Sequence, residues 1–211
     1  MRGRFITLEG GEGAGKSTML QAVRERLASR GIEPLLTREP GGTRLGEALR
    51  ALVLDPQLAP ICAESELLMM FAARAQHLRE VIEPALAAGR WVVSDRYTDA
   101  SHAYQGGGRG QPQARIDALA SWAAPLAPDV TLLLDIAPAE GLARAGARSA
   151  ADRIEGEALD FFERVRAAYR ARAAGAPERF RIIDASRSIA AVRAAVVAAL
   201  DDWLRTLEPA R

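Results

Sequence analysis

The 211-residue chain holds one cysteine, one lysine and no asparagine. The lone Cys62 cannot close an internal disulfide and gives no sign of an oxidising compartment. Long apolar runs are missing too. The richest stretch, Ile189 to Leu200, is broken by Arg193 and is too short to cross a bilayer. Charge of one sign is not in excess: 28 basic residues face 27 acidic ones, so no global field draws nucleic acid or an anionic membrane. Any anion site must be local. Met1-Arg2-Gly3-Arg4 runs straight into a strand-like segment and leaves no room for a signal peptide. These features lead to the expectation of a cytoplasmic protein with no nucleic-acid or membrane partner. Its length and 49% hydrophobic content suit a single domain, 1–211, with a substantial core.

The scarcity of lysine makes the one present informative. Lys16 ends the run Gly10-Gly11-Glu12-Gly13-Ala14-Gly15-Lys16-Ser17, which fits the phosphate-cradling pattern G-x-x-x-x-G-K-[ST]. Every other basic residue is arginine. An ammonium on a flexible stem reaches β- and γ-phosphates where a planar fork is too bulky. Glycines are needed because backbone N–H groups must turn inward around phosphate oxygens. Residues Gly10 to Thr18 are therefore the expected ATP-binding segment, with Lys16 offsetting charge on the transferring group and Ser17 offering a hydroxyl to Mg²⁺.

Apolar, β-rich runs alternate with longer helical patterns. Strands are expected at Phe5–Leu8, Pro34–Thr37, Trp91–Val93, Val130–Leu134 and Arg181–Ile183. Continuous apolar strands imply burial on both faces. The expected class is α/β, a doubly wound five-stranded parallel sheet flanked by helices. Ser17–Ser29 reads as the helix after the cradle, and Ser188–Leu207 as a packing helix that lays Val192, Val196 and Leu200 on the sheet. The glycines from Gly106 to Gly110 read as a loop inside the domain. Asp95 and Asp135, each at a strand end, compete as the carboxylate partner of Mg²⁺. Asp95 is preferred because Arg96 beside it brings phosphate-binding chemistry to the same place.

The cradle alone does not separate GTPases, motor-like ATPases and small-molecule kinases. A guanine-reading Asn-Lys-x-Asp box cannot exist here, since there is no asparagine and Lys16 is already used. Four further segments are specific. Thr37-Arg38-Glu39-Pro40-Gly41-Gly42-Thr43, Phe71-Ala72-Ala73-Arg74, Asp95-Arg96-Tyr97 with Ala103-Tyr104-Gln105-Gly106-Gly107-Gly108-Arg109-Gly110, and Asp152-Arg153-Ile154-Glu155 keep one order along the chain. Together they resemble the thymidylate kinases.

That resemblance implies the reaction ATP + dTMP → ADP + dTDP, dependence on Mg²⁺, and a homodimer packed through helices. The alternatives are another nucleoside monophosphate kinase and a P-loop regulatory ATPase. The acceptor oxygen of a monophosphate is already largely ionised, its second pKa being about 6, so no strong general base is required. The obstacle is repulsion between two polyanions, and placed cations are the remedy.

By the resemblance, Arg96 and Arg50 hold the acceptor phosphate, and Glu39 orients these arginines or the acceptor. Arg74 hydrogen-bonds the base, which either Met70 or Phe71 packs against. Ser101 and Gln105, four apart on one helix face, look at the pyrimidine edge. Tyr104 crowds the sugar 2′ position, and Glu12 accepts the 3′-hydroxyl. The cradle carries no arginine, so the resemblance is to the bacterial subtype whose catalytic cation comes from a lid, here about residues 141–156. Arg153 is the first candidate and Arg148 the second. Trp91, Trp122 and Trp203 are expected in the core or in a dimer contact.

Overall fold

The structure, a computed structural model, describes residues 2–147 and 152–207. Arg148 lies outside them. The sheet has five strands in the order β2-β3-β1-β4-β5, all parallel. They are β1 (Phe5–Gly10), β2 (Leu35–Arg38), β3 (Val92–Asp95), β4 (Val130–Asp135) and β5 (Phe180–Asp184). Each expected strand is present, displaced by a residue or two at its ends. Every residue of the central strand β1 is buried, as its position between β3 and β4 demands.

The period of two along β1 divides its side chains. Ile6 and Leu8 join Val93, Leu132 and Leu134 against α1 (Lys16–Ala28) and α9 (Ile189–Thr206). Met19, Val23 and Leu27 come from α1; Val192, Val196, Leu200 and Trp203 come from α9. Each such side chain, fully buried, contributes about 1.5–3 kcal/mol. Phe5 faces the other way, against Tyr97 and the segment Leu78–Ile82. Thr7, on Phe5's face, shares a 2.8 Å hydrogen bond with Thr131. Glu9 continues that face and is wholly buried. Trp91 meets Trp203 edge-on at 5.8 Å, whereas Trp122 is 79% exposed and belongs to no core.

Some of the remaining helices, α2 (Arg44–Leu54), α3 (Ala63–His77) and α5 (Thr98–Ser101) among them, bring residues to the carboxyl ends of the strands, where parallel sheets of this kind bind ligands. Helix α3 continues through a wide π-helical segment at Leu78–Ile82 into α4 (Glu83–Ala87). Further along are α6 (Gln113–Ala123), α7 (Pro138–Gly146) and α8 (Leu159–Gly175).

The glycine run is not the expected loop. His102–Gly108 is a π-helical continuation of α5. Glycine is needed there for close approach: a Cβ on Gly108 would sit 2.4 Å from the Phe161 ring, and one on Gly107 2.6 Å from Ala168. Within this wide turn Ser101 and Gln105 engage different partners, Arg74 and Glu66.

Candidate active site

Gly15 caps α1 in the left-handed region (φ 88°), and no side chain satisfies the first-turn N–H groups of that helix. An unsatisfied N-terminus of this kind favours an anion. Gly13, also left-handed at φ 67°, packs so tightly on α7 that a Cβ would lie 1.9 Å from the Gly141 carbonyl oxygen. Lys16 bends back into the cradle, its Nζ donating to the Gly10 and Gly11 carbonyls at 3.2 and 2.9 Å. Burial, reinforced by Arg96, pushes its pKa down, although Glu12, Asp95 and Glu9 oppose the shift. The ammonium thus rests on two carbonyls that a phosphate oxygen can replace.

One cavity joins this cradle to the ends of β2 and β3. Gly13, Gly15, Lys16 and Ser17 line one part; Arg38, Glu39, Pro40 and Arg50 line another. Asp95, Arg96, Tyr104, Gln105, Met70 and Asp152 also line it, as does Glu12 of the cradle. Gly10, Gly11, Ala14 and Thr18 belong to the cradle segment without lining the cavity.

Arg96 is the best-anchored cation. Its own φ is 71°, the only positive value at a non-glycine residue among those described. That turn aims the side chain back over β1. Nη1 donates to the Gly10 carbonyl (3.0 Å) and the Tyr169 hydroxyl (3.2 Å), and Nη2 to Glu12 Oε1 (2.7 Å) and the Tyr104 hydroxyl (2.9 Å). The guanidinium also lies 4.6 Å from the Tyr104 ring centroid. Tyr104 in turn donates to Glu12 Oε1 at 2.7 Å, so all three side chains form one unit.

Arg50 donates to the Pro40 carbonyl at 3.1 Å. Burial, then the nearby Arg38 and Arg96 guanidiniums, push its pKa down. Three guanidiniums thus converge on one cavity, Arg38 paired with Glu47 at 2.9 Å and Arg96 with Glu12 at 2.7 Å, a setting that attracts an anion. Asp95 Oδ1 is buried without a hydrogen-bond partner, in the cavity that Ser17 also lines. A carboxylate oxygen left in this way, beside a hydroxyl and a phosphate cradle, suits a hard cation that takes few protein ligands and several from phosphate and water. In keeping with this, among the described residues no cluster of three or more His, Cys, Asp or Glu side chains stands ready to hold a metal alone. The competing Asp135 is taken: it accepts from Arg166 Nε at 2.7 Å and Nη2 at 2.9 Å.

Other expected site residues lie elsewhere. Arg74 is 1% exposed and does not line the cavity. It donates to Glu39 Oε2 (2.6 Å), Ser101 Oγ (2.9 Å) and the Tyr97 carbonyl (3.0 Å), forming a layer behind the cavity wall. Ser101 belongs to that layer. Glu39 is held from both sides, by Arg74 and by His77 Nδ1 at 3.0 Å. Of the two residues left open for the base, Met70 lines the cavity. Phe71 packs with Leu67 and Ile116, its ring 4.8 Å from the Arg74 guanidinium.

Of the lid arginines, Arg153 is also held by protein partners. Arg153 is 8% exposed and does not line the cavity; it donates to the Val53 carbonyl and Glu66 Oε2, both at 2.6 Å. Its neighbours Asp152 and Ile154 line the cavity in its place. Arg144 is occupied by Glu140 and by the Ala185 and Ser186 carbonyls.

Sequence reasoning missed three groups. Glu9 accepts from the Tyr97 N–H (2.8 Å) and the Tyr169 hydroxyl (2.7 Å) under the cradle. Burial and Asp99 push its carboxyl up to about 8. Its one signal was an acid ending an apolar strand, Leu8-Glu9-Gly10. Arg38 stands out in the sequence only as part of the run Thr37 to Thr43. Glu66, wholly buried in α3, was invisible because its partners lie 39 to 87 residues away.

Known proteins show the same arrangement of chain. The family model for thymidylate kinase matches residues 8–196. A thymidylate kinase of Halorhodospira halophila is 55% identical over 206 residues, covering 96% of each chain. One of Chromobacterium violaceum is 54% identical over 204 residues, again 96% of each. The crystal structure of thymidylate kinase from Ehrlichia chaffeensis superposes with a TM-score of 0.77 at 30% identity, covering 95% of this chain and 99% of that one. With the cradle, the converging arginines and the five-stranded parallel sheet, these likenesses lead to one conclusion: the chain belongs to the thymidylate kinase family.

Proposed function

We propose that this chain transfers the γ-phosphoryl group of ATP to dTMP, yielding dTDP and ADP, in the synthesis of dTTP. The observation that carries the reading is the convergence of Arg38, Arg50 and Arg96 on the cavity that also holds Lys16 and the unpartnered Asp95 oxygen. Two polyanions fit such a cavity, one at each end. The α1 N-terminus and Lys16 grip the donor phosphates. Arg50 and Arg96 take the acceptor phosphate and hold one of its oxygens in line with the γ-phosphorus. As that oxygen bonds to phosphorus, the bond to the β–γ bridging oxygen breaks and ADP leaves. Catalysis rests on position and on cations set where charge spreads.

Asp95 and Ser17 would hold Mg²⁺, which supplies neutralising charge at the transferred group. Glu12 and Tyr104, fixed by Arg96, stand where the sugar of the acceptor meets the cradle. Tyr104 crowds the 2′ position and Glu12 accepts the 3′-hydroxyl. Met70 packs against the base and Gln105 meets its edge. Arg74 and Ser101 act from behind, Arg74 together with His77 fixing Glu39 in the cavity wall.

The protein works as a single domain, with residues about 141–156 closing over ATP and excluding water. Arg148 is the lid cation of this proposal, since Arg144 and Arg153 are engaged elsewhere. A homodimer is supported by the apolar side chains left outside the cores on neighbouring helices, with Trp122 at 79% and Leu68 at 58% exposure. Among the described residues no helix is long and apolar enough to cross a membrane, and a cytoplasmic setting agrees with the lone cysteine. The decisive test is a product assay with ATP, Mg²⁺ and each of dTMP, dUMP, dCMP, dAMP and dGMP. Formation of dTDP and ADP in equal amounts, with dTMP the best acceptor, is expected. ADP release that ignores every monophosphate would overturn the reading.

A further inference from the structure

Glu66 is a carboxylate with no exposed surface, placed on α3 behind the base end of the cavity. Its Oε2 accepts from Arg153 Nη2 at 2.6 Å and from Arg109 Nε at 3.1 Å. Its Oε1 accepts from Gln105 Nε2 at 2.9 Å and, more weakly, from Arg109 Nε at 3.3 Å. Burial opposes its ionisation, but bonds from Gln105, Arg153 and Arg109 keep its pKa below the usual carboxylate range. A carboxylate has only acceptors to offer.

Gln105 lines the cavity, yet is 2% exposed. An amide can present either end to a ligand, and its direction is set by whatever holds the other end. Here the nitrogen is spent on Glu66, and Gln105 Oε1 is buried with no partner at all. The reverse orientation would set a carbonyl oxygen against a carboxylate oxygen with no hydrogen between them. A buried, unpaired acceptor costs free energy until a donor reaches it.

We propose that Glu66 is a specificity-determining positioning residue: it locks the Gln105 amide so that the carbonyl is the end left for the base, and the base must bring an N–H donor. Thymine and uracil carry that hydrogen on the ring nitrogen between their two carbonyls. Cytosine has a lone pair there and meets the carbonyl with repulsion. The inference rests on the cavity taking a pyrimidine monophosphate as above, and assigns the rejection of cytosine to a side chain that need not touch the substrate.

Glu66→Gln tests it. Arg109 and Arg153 have only donors to offer, so they retain the oxygen of the new amide and its NH₂ turns to Gln105. Gln105 then reverses and shows its own NH₂ to the base. The dTMP-to-dCMP ratio of kcat/KM should fall by at least about tenfold in E66Q, with kcat/KM for dCMP rising in absolute terms. Equal losses for both nucleotides would mean that Glu66 only supports the fold, and would overturn the proposal. Should E66Q not fold, Gln105→Met decides: its ratio must fall as well, through loss of dTMP alone, and an unchanged ratio overturns the proposal. A wild-type protein that prefers dTMP, paired with an E66Q of the same preference, sinks this inference only. A wild-type protein that accepts neither nucleotide sinks the proposed function and this inference with it.

Discussion

Replacing Arg74 by methionine removes a guanidinium that is wholly enclosed. Its three nitrogens donate at 2.6, 2.9 and 3.0 Å to Glu39, Ser101 and the Tyr97 carbonyl. The partner carboxylate of Glu39 is 2% exposed, so the Glu39 charge cannot recover by reaching water. It would keep the His77 contact alone. Breaking one side of a buried pair typically costs about 3–5 kcal/mol, mainly through the stranded charge. For a chain of this length each kcal/mol moves Tm by about 2–4 °C, so Arg74→Met should melt roughly 6–20 °C lower. Thermal unfolding followed by circular dichroism reads this directly, and urea midpoints check it. The double variant Glu39→Gln with Arg74→Met removes the stranded charge and should recover a good part of the loss. If Arg74→Met costs less than about 1 kcal/mol, the pair is not enclosed as the geometry requires and the reasoning fails. A large rise in KM for dTMP at unchanged stability would also refute it, because that places Arg74 on the substrate rather than behind the wall.

Lys16→Ala should lower kcat by at least about a hundredfold, since a preorganised charge at the transferring group is lost; near-normal turnover would remove the cradle from the mechanism. Arg50→Met should raise KM for dTMP by about tenfold or more while KM for ATP changes little, and steady-state kinetics with each substrate varied in turn separates the two. Glu9 provides a pH signature. Its folded pKa, raised to about 8 by burial and Asp99, lies above the 4.5 of a free glutamate, so between those values the folded state holds the proton that the unfolded state has released. Its contribution is therefore fully present below about 4.5 and is lost as pH rises towards 8, at up to about 1.4 kcal/mol per pH unit. Wild-type stability measured relative to Glu9→Gln should decline from pH 5 to pH 8, and a flat difference would show that Glu9 is ionised in the folded protein.

The cradle was legible because its parts are contiguous: a strand, the glycines and a helix lie within 24 residues of one another, and local backbone conformation does the work. Asp95 and Arg96 were legible for a similar reason, standing at the end of an apolar strand. The glycine run was misread because a loop and a π-helical turn need the same residues. Only the arrival of Phe161 and Ala168 from α8 explains why glycine is required. The carboxylate partners of Arg74 and Arg153 were not legible, because an arginine in a motif looks the same whether it faces a ligand or a buried carboxylate.

The order of strands and helices, the single side-chain ammonium in its cradle, and which arginines are present to meet phosphate can all be read from the residues alone. These follow from periodicity and from contacts between near neighbours, which a linear pattern records. Long-range packing set which guanidiniums reach the cavity and which are spent on Glu39 and Glu66, and that Met70 rather than Phe71 lines the cavity. Those outcomes depend on which carboxylate arrives from a distant segment and on how far each side chain is turned, and neither is written in spacing along the chain.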